Sequence, residues 1–585
     1  MLRIFKNLTK KEIILACFSV LFVIAQVWLE LKLPDYMREI TSLITTEESV
    51  MSSILAAGGK MLLCAFGSLV VTVFVSLCAS RIASNFSANI RGKLFDRVQS
   101  FSMEEIGRFS TASLITRSTN DVTQVQMLIV MGLSVMLRAP IMATMAILKI
   151  VDKSWQWTLS TGIAVLILLL VVIVCVCLAL PKFKKLQELT DNVNRVTREN
   201  LTGINVVRAY NAESYQEEKF ETVNKELTDT HWYTSKVMAF MMPCIMLVMN
   251  GLSLAVYWIG AILIDNANMY DKFSLFSDMV VFSSYAMQVV MSFMMLVMIF
   301  IMLPRASVAA KRILEVLETK PSITDGTRTS FPVMRQGEVE FRDVSFKYPD
   351  AEECVLEHIS FQAKKGETVA FIGSTGCGKS TVVNLIPRFY DVTDGEVLVD
   401  GVNVKEYSQK DLHNKIGYVS QKAILFSGTI EDNIAYGDNG KTPATEEDVK
   451  LAVSVAQADE FVEKKDMGYK GYVSQGGSNF SGGQKQRLSI ARAIARKPEI
   501  FIFDDSFSAL DYKTDRQLRQ SLREKCKDAT KLIVAQRIGT IRDADRIIVL
   551  DDGQIAGMGT HDELMKTCEV YQQIAYSQLS KEELA

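Results

Sequence analysis

The sequence predicts a protein of two unlike halves: a six-helix α-helical transmembrane domain, then an α/β domain of the P-loop type. Three observations predict it. Six long apolar stretches, each near the about 20 residues that cross a bilayer, occupy the first half of the chain. From residue 337 onward short β-rich runs alternate with helical patterns, the signature of a parallel sheet flanked by helices. Between the apolar run 368–372 and the helical pattern 379–386 stands a glycine-rich loop, Gly373-Ser374-Thr375-Gly376-Cys377-Gly378-Lys379-Ser380-Thr381.

The apolar stretches fall at 13–33, 61–80, 128–148, 155–181, 237–264 and 279–304. Arg3, Lys6, Lys10 and Lys11 precede the first, Lys182, Lys184 and Lys185 follow the fourth, and Arg305, Lys311 and Arg312 follow the sixth. The alternate loops are short and poor in Lys and Arg, which predicts a multi-pass membrane protein with both termini cytoplasmic. Polar, helix-like stretches at 81–126 and 182–236 read as transmembrane helices continuing far into the cytoplasm. The Ser-, Thr-, Gly- and Pro-bearing stretch 321–336 reads as a linker. This divides the chain into a transmembrane domain at 1–320 and a nucleotide-binding domain at 337–585. With 64 basic residues against 66 acidic ones and no basic stripe, nucleic acid is not an expected partner. The ten cysteines show no metal-ligand spacing.

A strand, a glycine-rich turn and a helix start let backbone N–H groups curl around phosphate, with the helix N-terminus adding positive potential. In that setting Lys379 is expected at the β- and γ-phosphates of ATP and the Ser380 hydroxyl on Mg²⁺. A second apolar strand, 499–503, ends in Asp504, expected to orient Mg²⁺ through its water shell. Further on comes Phe480-Ser481-Gly482-Gly483-Gln484.

This motif set resembles that of ABC ATPases, whose usual signature reads Leu-Ser-Gly-Gly-Gln. The order of six spans, two cytoplasmic extensions and an ATPase domain resembles an ABC exporter half-transporter. The resemblance implies that Ser481, Gly482, Gly483 and Gln484 present a helix N-terminus to ATP held by a second domain. It also implies that Tyr348 stacks on adenine, that Gln421 couples Mg²⁺ to the membrane domain, and that Asp511 belongs to the loop crossing the dimer interface.

Two positions depart from that pattern. Asp505 stands where a catalytic Glu is usual, and its carboxylate falls short by about 1 Å, a misplacement that can cost about 100-fold. Gln536 stands where a His usually contacts the γ-phosphate, and a neutral amide carries no imidazolium charge. The pair resembles the degenerate-site subunit of bacterial heterodimeric multidrug exporters. That resemblance implies a second, non-identical half-transporter with Glu and His intact, and an amphipathic small-molecule cargo. A lipid or peptide exporter and an ATP-gated channel are the rival readings.

In the membrane half, Met287, Met291, Met294 and Met298 recur at helical spacing, fitting either a stripe facing a cargo cavity or helix contacts and lipid. Arg138 lies well inside the third span, so it faces protein or water. Contact with cargo and an ion pair with Glu30 are both open.

Overall fold

The computed structural model describes residues 2–45, 51–151, 153–328, 336–349, 351–440 and 442–578. It divides into two compact units, Met1–Val98 with Ala112–Thr319, and Gln99–Thr111 with Lys320–Ala585.

The first unit is helical. Helix α1 spans Lys10–Thr45 and α2 spans Met51–Gln99. The short α3, Met103–Phe109, belongs to the second unit. Span α4, 111–151, is helical but broken by two π-helical turns, Arg117–Asp121 and Gly132–Met136. It is followed by α5 (Trp155–Thr202), α6 (Ile204–Ala209), α7 (Glu213–Asp265) and α8 (Met269–Glu318). Six of these helices are long and apolar enough to cross a membrane. Leu62, Leu63, Phe66, Leu166 and Leu170 are exposed on them, as a lipid-facing surface requires. Pro34, Pro181 and Pro243 lie inside helices, where neighbouring helices can satisfy the freed backbone groups.

The core of this unit joins Val27 and Leu31 of α1, Ala146 and Ile150 of α4, Trp157 of α5, Val256 of α7, and Phe282 and Tyr285 of α8. Trp157 donates its indole N–H to the Val256 carbonyl at 3.1 Å. A Cβ at Gly260 would meet Met279 and crowd Trp157, so the glycine permits that close helix approach.

Among the described residues, the second unit holds two larger sheets and a two-stranded one. Strands β1 (Val339–Phe346), β2 (Leu356–Ala363), β4 (Asp394–Val399) and β5 (Val402–Asn403) form an antiparallel sheet in the order β2-β1-β4-β5. The other large sheet contains β3 (Thr368–Gly373), β6 (Ile416–Val419), β9 (Ile500–Asp504), β10 (Thr530–Val534), β11 (Arg546–Asp551) and β12 (Gln554–Gly559). Its order is β12-β11-β3-β10-β9-β6, parallel throughout except for β12 at one edge. The pair β7 (Gly428–Thr429) and β8 (Tyr472–Val473) stands apart.

The central residues of the parallel strands are apolar on both alternating sets of positions, because both faces of the sheet are covered. Ile500 and Ile502 join the core shared with β1, β2 and β4, whereas Phe501 and Phe503 join the core shared with the helices. The sheet places β3 between β10 and β11, so the ends of β3, β9 and β10 lie together at its middle.

The linker expected at 321–336 falls partly on residues outside those described. Its first residues are not free-running: the Gly326 N–H donates to the Tyr407 carbonyl at 2.8 Å, and the Arg328 N–H to the Glu406 carbonyl at 3.2 Å. Polar composition carried no sign of these long-range backbone bonds.

Candidate active site

The phosphate loop leaves β3 and enters helix α9, Lys379–Leu385. Gly376 and Gly378 hold φ of 92° and 95°, the left-handed region that side chains disfavour. A Cβ on Gly378 would also come within 2.6 Å of the Leu356 side chain. Ser374, Thr375 and Gly376 are exposed at the crown of the loop, while Cys377 is buried beneath it.

Lys379 is buried and folds back on its own loop. Its ammonium donates to the Gly373 carbonyl at 2.9 Å and the Ser374 carbonyl at 2.6 Å, and lies 3.6 Å from the Cys377 sulfur. Ser380 donates its hydroxyl to Asp504 Oδ1 at 2.7 Å, joining the start of α9 to the end of β9. Burial pushes the Asp504 carboxyl above its usual range, against the Ser380 hydrogen bond, and the neighbouring Asp505 adds to the rise. Thr381 is buried, with its hydroxyl 3.1 Å from the Tyr348 hydroxyl. The Tyr348 ring lies edge-on to Phe346 and Tyr390, with centroids 4.9 and 5.2 Å apart.

Asp505 is the point where three expected residues meet. Gln536 Nε2 donates to its Oδ2 at 2.9 Å, and Gln421 Nε2 approaches the same oxygen at 3.3 Å. Burial raises the Asp505 carboxyl above its usual range, opposed by the Gln421 amide and the Ser508 hydroxyl. Its backbone has φ of 45°, held by an N–H bond to the Val534 carbonyl at 3.0 Å and by the Ser508 hydroxyl on its own carbonyl at 2.8 Å. The short polar side chain of Asp tolerates this left-handed geometry better than most residues. The substitution therefore has a local backbone rationale that the motif alone did not show.

The signature residues start helix α10, Gly482–Ala495. Ser481 caps it: its hydroxyl accepts the Gln484 N–H at 3.4 Å, while the Gln484 side chain accepts the Ser481 N–H at 3.0 Å. Ser481 and Gly482 are exposed, and a Cβ on Gly482 would meet nothing within 4 Å. Gly483 has less room, its Cβ position lying 3.1 Å from the Ala509 carbonyl. Among the described residues, neither Ser481 nor Gln484 bonds the phosphate loop, so the N-terminus of α10 is left open. Asp511 caps helix α11, Tyr512–Lys525, accepting the Thr514 N–H at 3.0 Å, and that backbone bond holds its carboxyl below the usual range.

In the membrane unit, Arg138 Nη2 binds both carboxylate oxygens of Glu30, at 3.0 and 2.8 Å. Gln26 at 3.0 Å and Ser68 at 3.3 Å complete the partners of Glu30. The ion pair, one of the two readings of Arg138, is formed. Removing Arg138 alone strands a partly buried carboxylate. Arg138→Met is therefore expected to lower thermal stability in lipid nanodiscs by about 2 kcal/mol, with most of the loss recovered in Arg138→Met/Glu30→Gln. Equal losses in the single and double variants would show that the pair is uncoupled.

The methionine stripe is divided. Met291 is exposed, Met287 half-buried, and Met294 packs on the transmembrane core. The side chain of Met298 lies outside the described residues. Met291→Ala is expected to leave stability unchanged and shift the relative transport of different cargoes. Met294→Ala is expected to cost of order 1 kcal/mol, below the about 2–5 of a fully buried Met. Thermal melts beside transport assays separate the two, and equal destabilisation by both would remove Met291 from the cargo path.

A glycine-rich loop beneath a helix start, a hydroxyl joined to a buried Asp, and an open capped helix N-terminus define an ATP-binding domain of the ABC class. Comparison with known proteins agrees. Residues 356–508 match the family ABC transporter, and residues 16–306 match ABC transporter transmembrane region. An uncharacterized ABC transporter ATP-binding protein of Mycobacterium tuberculosis is 40% identical over 90% of this chain and 88% of its own. The YfiB ABC transporter ATP-binding protein of Bacillus subtilis is 37% identical over 87% and 86%, and the ATP-dependent lipid A-core flippase of Haemophilus influenzae is 31% identical over 87% and 86%. A solved bacterial Atm1-family ABC exporter with ATP bound superposes with a TM-score of 0.80 over 98% of this chain and 99% of its own, at 23% identity.

The chain belongs to the ABC transporter family. It is a multi-pass inner-membrane protein with a fused ATPase domain, and it uses ATP with Mg²⁺ to drive transport. The expectation of a second, non-identical half-transporter is corrected: the solved exporter that superposes on nearly the whole chain is of the Atm1 family, and nothing in that match calls for a different partner. The departures at Asp505 and Gln536 lie within one site of one chain, and sequence alone could not convert them into the identity of a second subunit.

Proposed function

We propose that this protein exports a lipid-like amphipath, using two copies of its ATPase domain that hydrolyse ATP slowly. The observation that carries the slow-turnover reading is the convergence of Gln421 and Gln536 on one oxygen of Asp505. Each amide can donate to the carboxylate, but neither brings the charge of an imidazolium. The lipid-like cargo is supported by the 31% identity to a lipid A-core flippase across most of both chains.

Bound Mg²⁺ would offset phosphate charge, with Ser380, Asp504 and Gln421 around it. The exposed amides of Ser374, Thr375 and Gly376 would line the phosphates, and Lys379 would turn from its loop carbonyls towards them. Tyr348 would offer its ring to adenine, steadied by Thr381. Asp505 would orient the attacking water from one methylene further away than Glu. Gly482 and Gly483 of one copy would face the γ-phosphate held by the other, with the positive end of α10 directed at it.

The test is ATP-dependent translocation of fluorescent phospholipid analogues in proteoliposomes, read by dithionite quenching, beside uptake of a cationic dye into inverted vesicles. Lipid flux without dye flux supports the reading. Dye flux alone makes the cargo a small amphipathic compound, and ionic current without either flux makes the protein a channel.

A further inference from the structure

The last described helix touches the site through a residue that no motif marks. Helix α12 spans His561–Thr567 and α13 spans Glu569–Gln578. Tyr571 and Ala575 of α13 are fully buried, and the helix packs on β3 and β11. His561 Nδ1 lies 2.7 Å from the Tyr571 hydroxyl, a buried bond that ties α13 to α12. Gln578 follows Tyr571 by seven residues and Ala575 by three, so it continues the anchored face of the helix.

From there its carboxamide straddles Arg537. Oε1 accepts the Ile538 N–H at 2.9 Å, and Nε2 donates to the Gln536 carbonyl at 2.7 Å. The two peptide planes on either side of Arg537 are thereby held by one planar group. The plane between Gln536 and Arg537 sets the backbone from which the Gln536 side chain departs. That side chain donates to Asp505 at 2.9 Å. Strand β10 ends at Val534, so the ladder no longer holds this stretch, and Gln578 supplies two bonds in its place.

We infer that Gln578 is a positioning residue for ATP hydrolysis, acting through Gln536 to hold Asp505 in place. The C-terminal helix is then part of the hydrolytic apparatus rather than a cover for the sheet. The inference rests on the role proposed above for Gln536 and Asp505.

The test is a double-mutant cycle on the full-length protein in nanodiscs, with steady-state Mg-ATPase and thermal midpoint measured together. Gln578→Met keeps the length of the side chain and removes both bonds. Gln578→Glu keeps the acceptor for Ile538 but cannot donate to the Gln536 carbonyl. Both are expected to lower kcat by about 3- to 30-fold, less than the about 100-fold of a 1 Å misplacement, with KM for ATP unchanged. In the Gln536→Ala background the same substitutions are expected to change kcat by less than about 2-fold, since contacts sharing one path are not additive. Equal loss of kcat in both backgrounds, or a loss that only follows a lowered thermal midpoint, overturns the inference. If Gln536→Ala lowers kcat and Gln578→Met does not, the inference fails while the role of Gln536 stands. If Gln536→Ala itself leaves kcat intact, the role of Gln536 fails, and this inference with it.

Discussion

Gly482→Asp is expected to all but stop ATP hydrolysis while leaving the protein at least as stable. The position has open space around it and no left-handed backbone, so a side chain fits without strain. An acidic residue in the first turn is favourable to the helix, by about 0.3–1 kcal/mol. The same charge stands where the proposed pairing brings a triphosphate, and it cancels the positive end of α10. Loss of a donor aimed at transition-state charge typically costs about 100- to 1000-fold, and a repelling carboxylate should cost no less. Steady-state Mg-ATPase and a thermal melt of the same preparation decide it. Turnover within a few-fold of wild type would mean that the N-terminus of α10 faces no phosphate. Gly483→Asp is a less clean probe, because its side chain starts 3.1 Å from the Ala509 carbonyl.

Asp505 should respond in opposite directions to its two nearest substitutions. Asp505→Asn keeps the shape and both amide neighbours but removes the base, and general-base catalysis contributes about 100- to 10,000-fold. Hydrolysis is expected to fall by at least about 100-fold, with ATP binding retained. Asp505→Glu extends the carboxylate by one methylene and is expected to raise turnover about 10-fold, recovering part of the about 100-fold cost of a 1 Å shortfall. It should also cost about 1 kcal/mol of stability, because the φ of 45° suits Asp better than Glu. ATPase rates and equilibrium binding of a fluorescent ATP analogue separate the two effects. Wild-type turnover in Asp505→Asn would remove this residue from the chemistry.

The motif-bearing part of the site was legible because phosphate binding is a local problem. A strand, a loop with left-handed glycines, a lysine and a hydroxyl follow one another without a break from Thr368 to Ser380, so spacing alone predicts their geometry. The same holds for Ser481 and Gln484, whose reciprocal cap spans one helical turn. The six spans were legible because a bilayer requires long apolar helices whatever their packing. Other features depend on residues far apart in sequence. Arg138 was recognisable as costly in lipid, but its bond to Glu30 is made across 108 positions. The methionine spacing predicted a stripe, yet only the packing of neighbouring helices separates Met294 in the core from exposed Met291.

Sequence by itself therefore determined the class of this protein: the six spans, the ATP loop, the signature helix and the two unusual residues at 505 and 536. It could do so because each is set by hydrophobic period or by chemistry within a few residues. Tertiary structure alone decided that Gln421 and Gln536 share one oxygen of Asp505, and that Gln578 grips the backbone behind Gln536. These contacts span 84, 31 and 42 positions. They exist because the parallel sheet lays β9 beside β10 and the last helix packs against its neighbours, bringing side chains to one point that no local pattern relates.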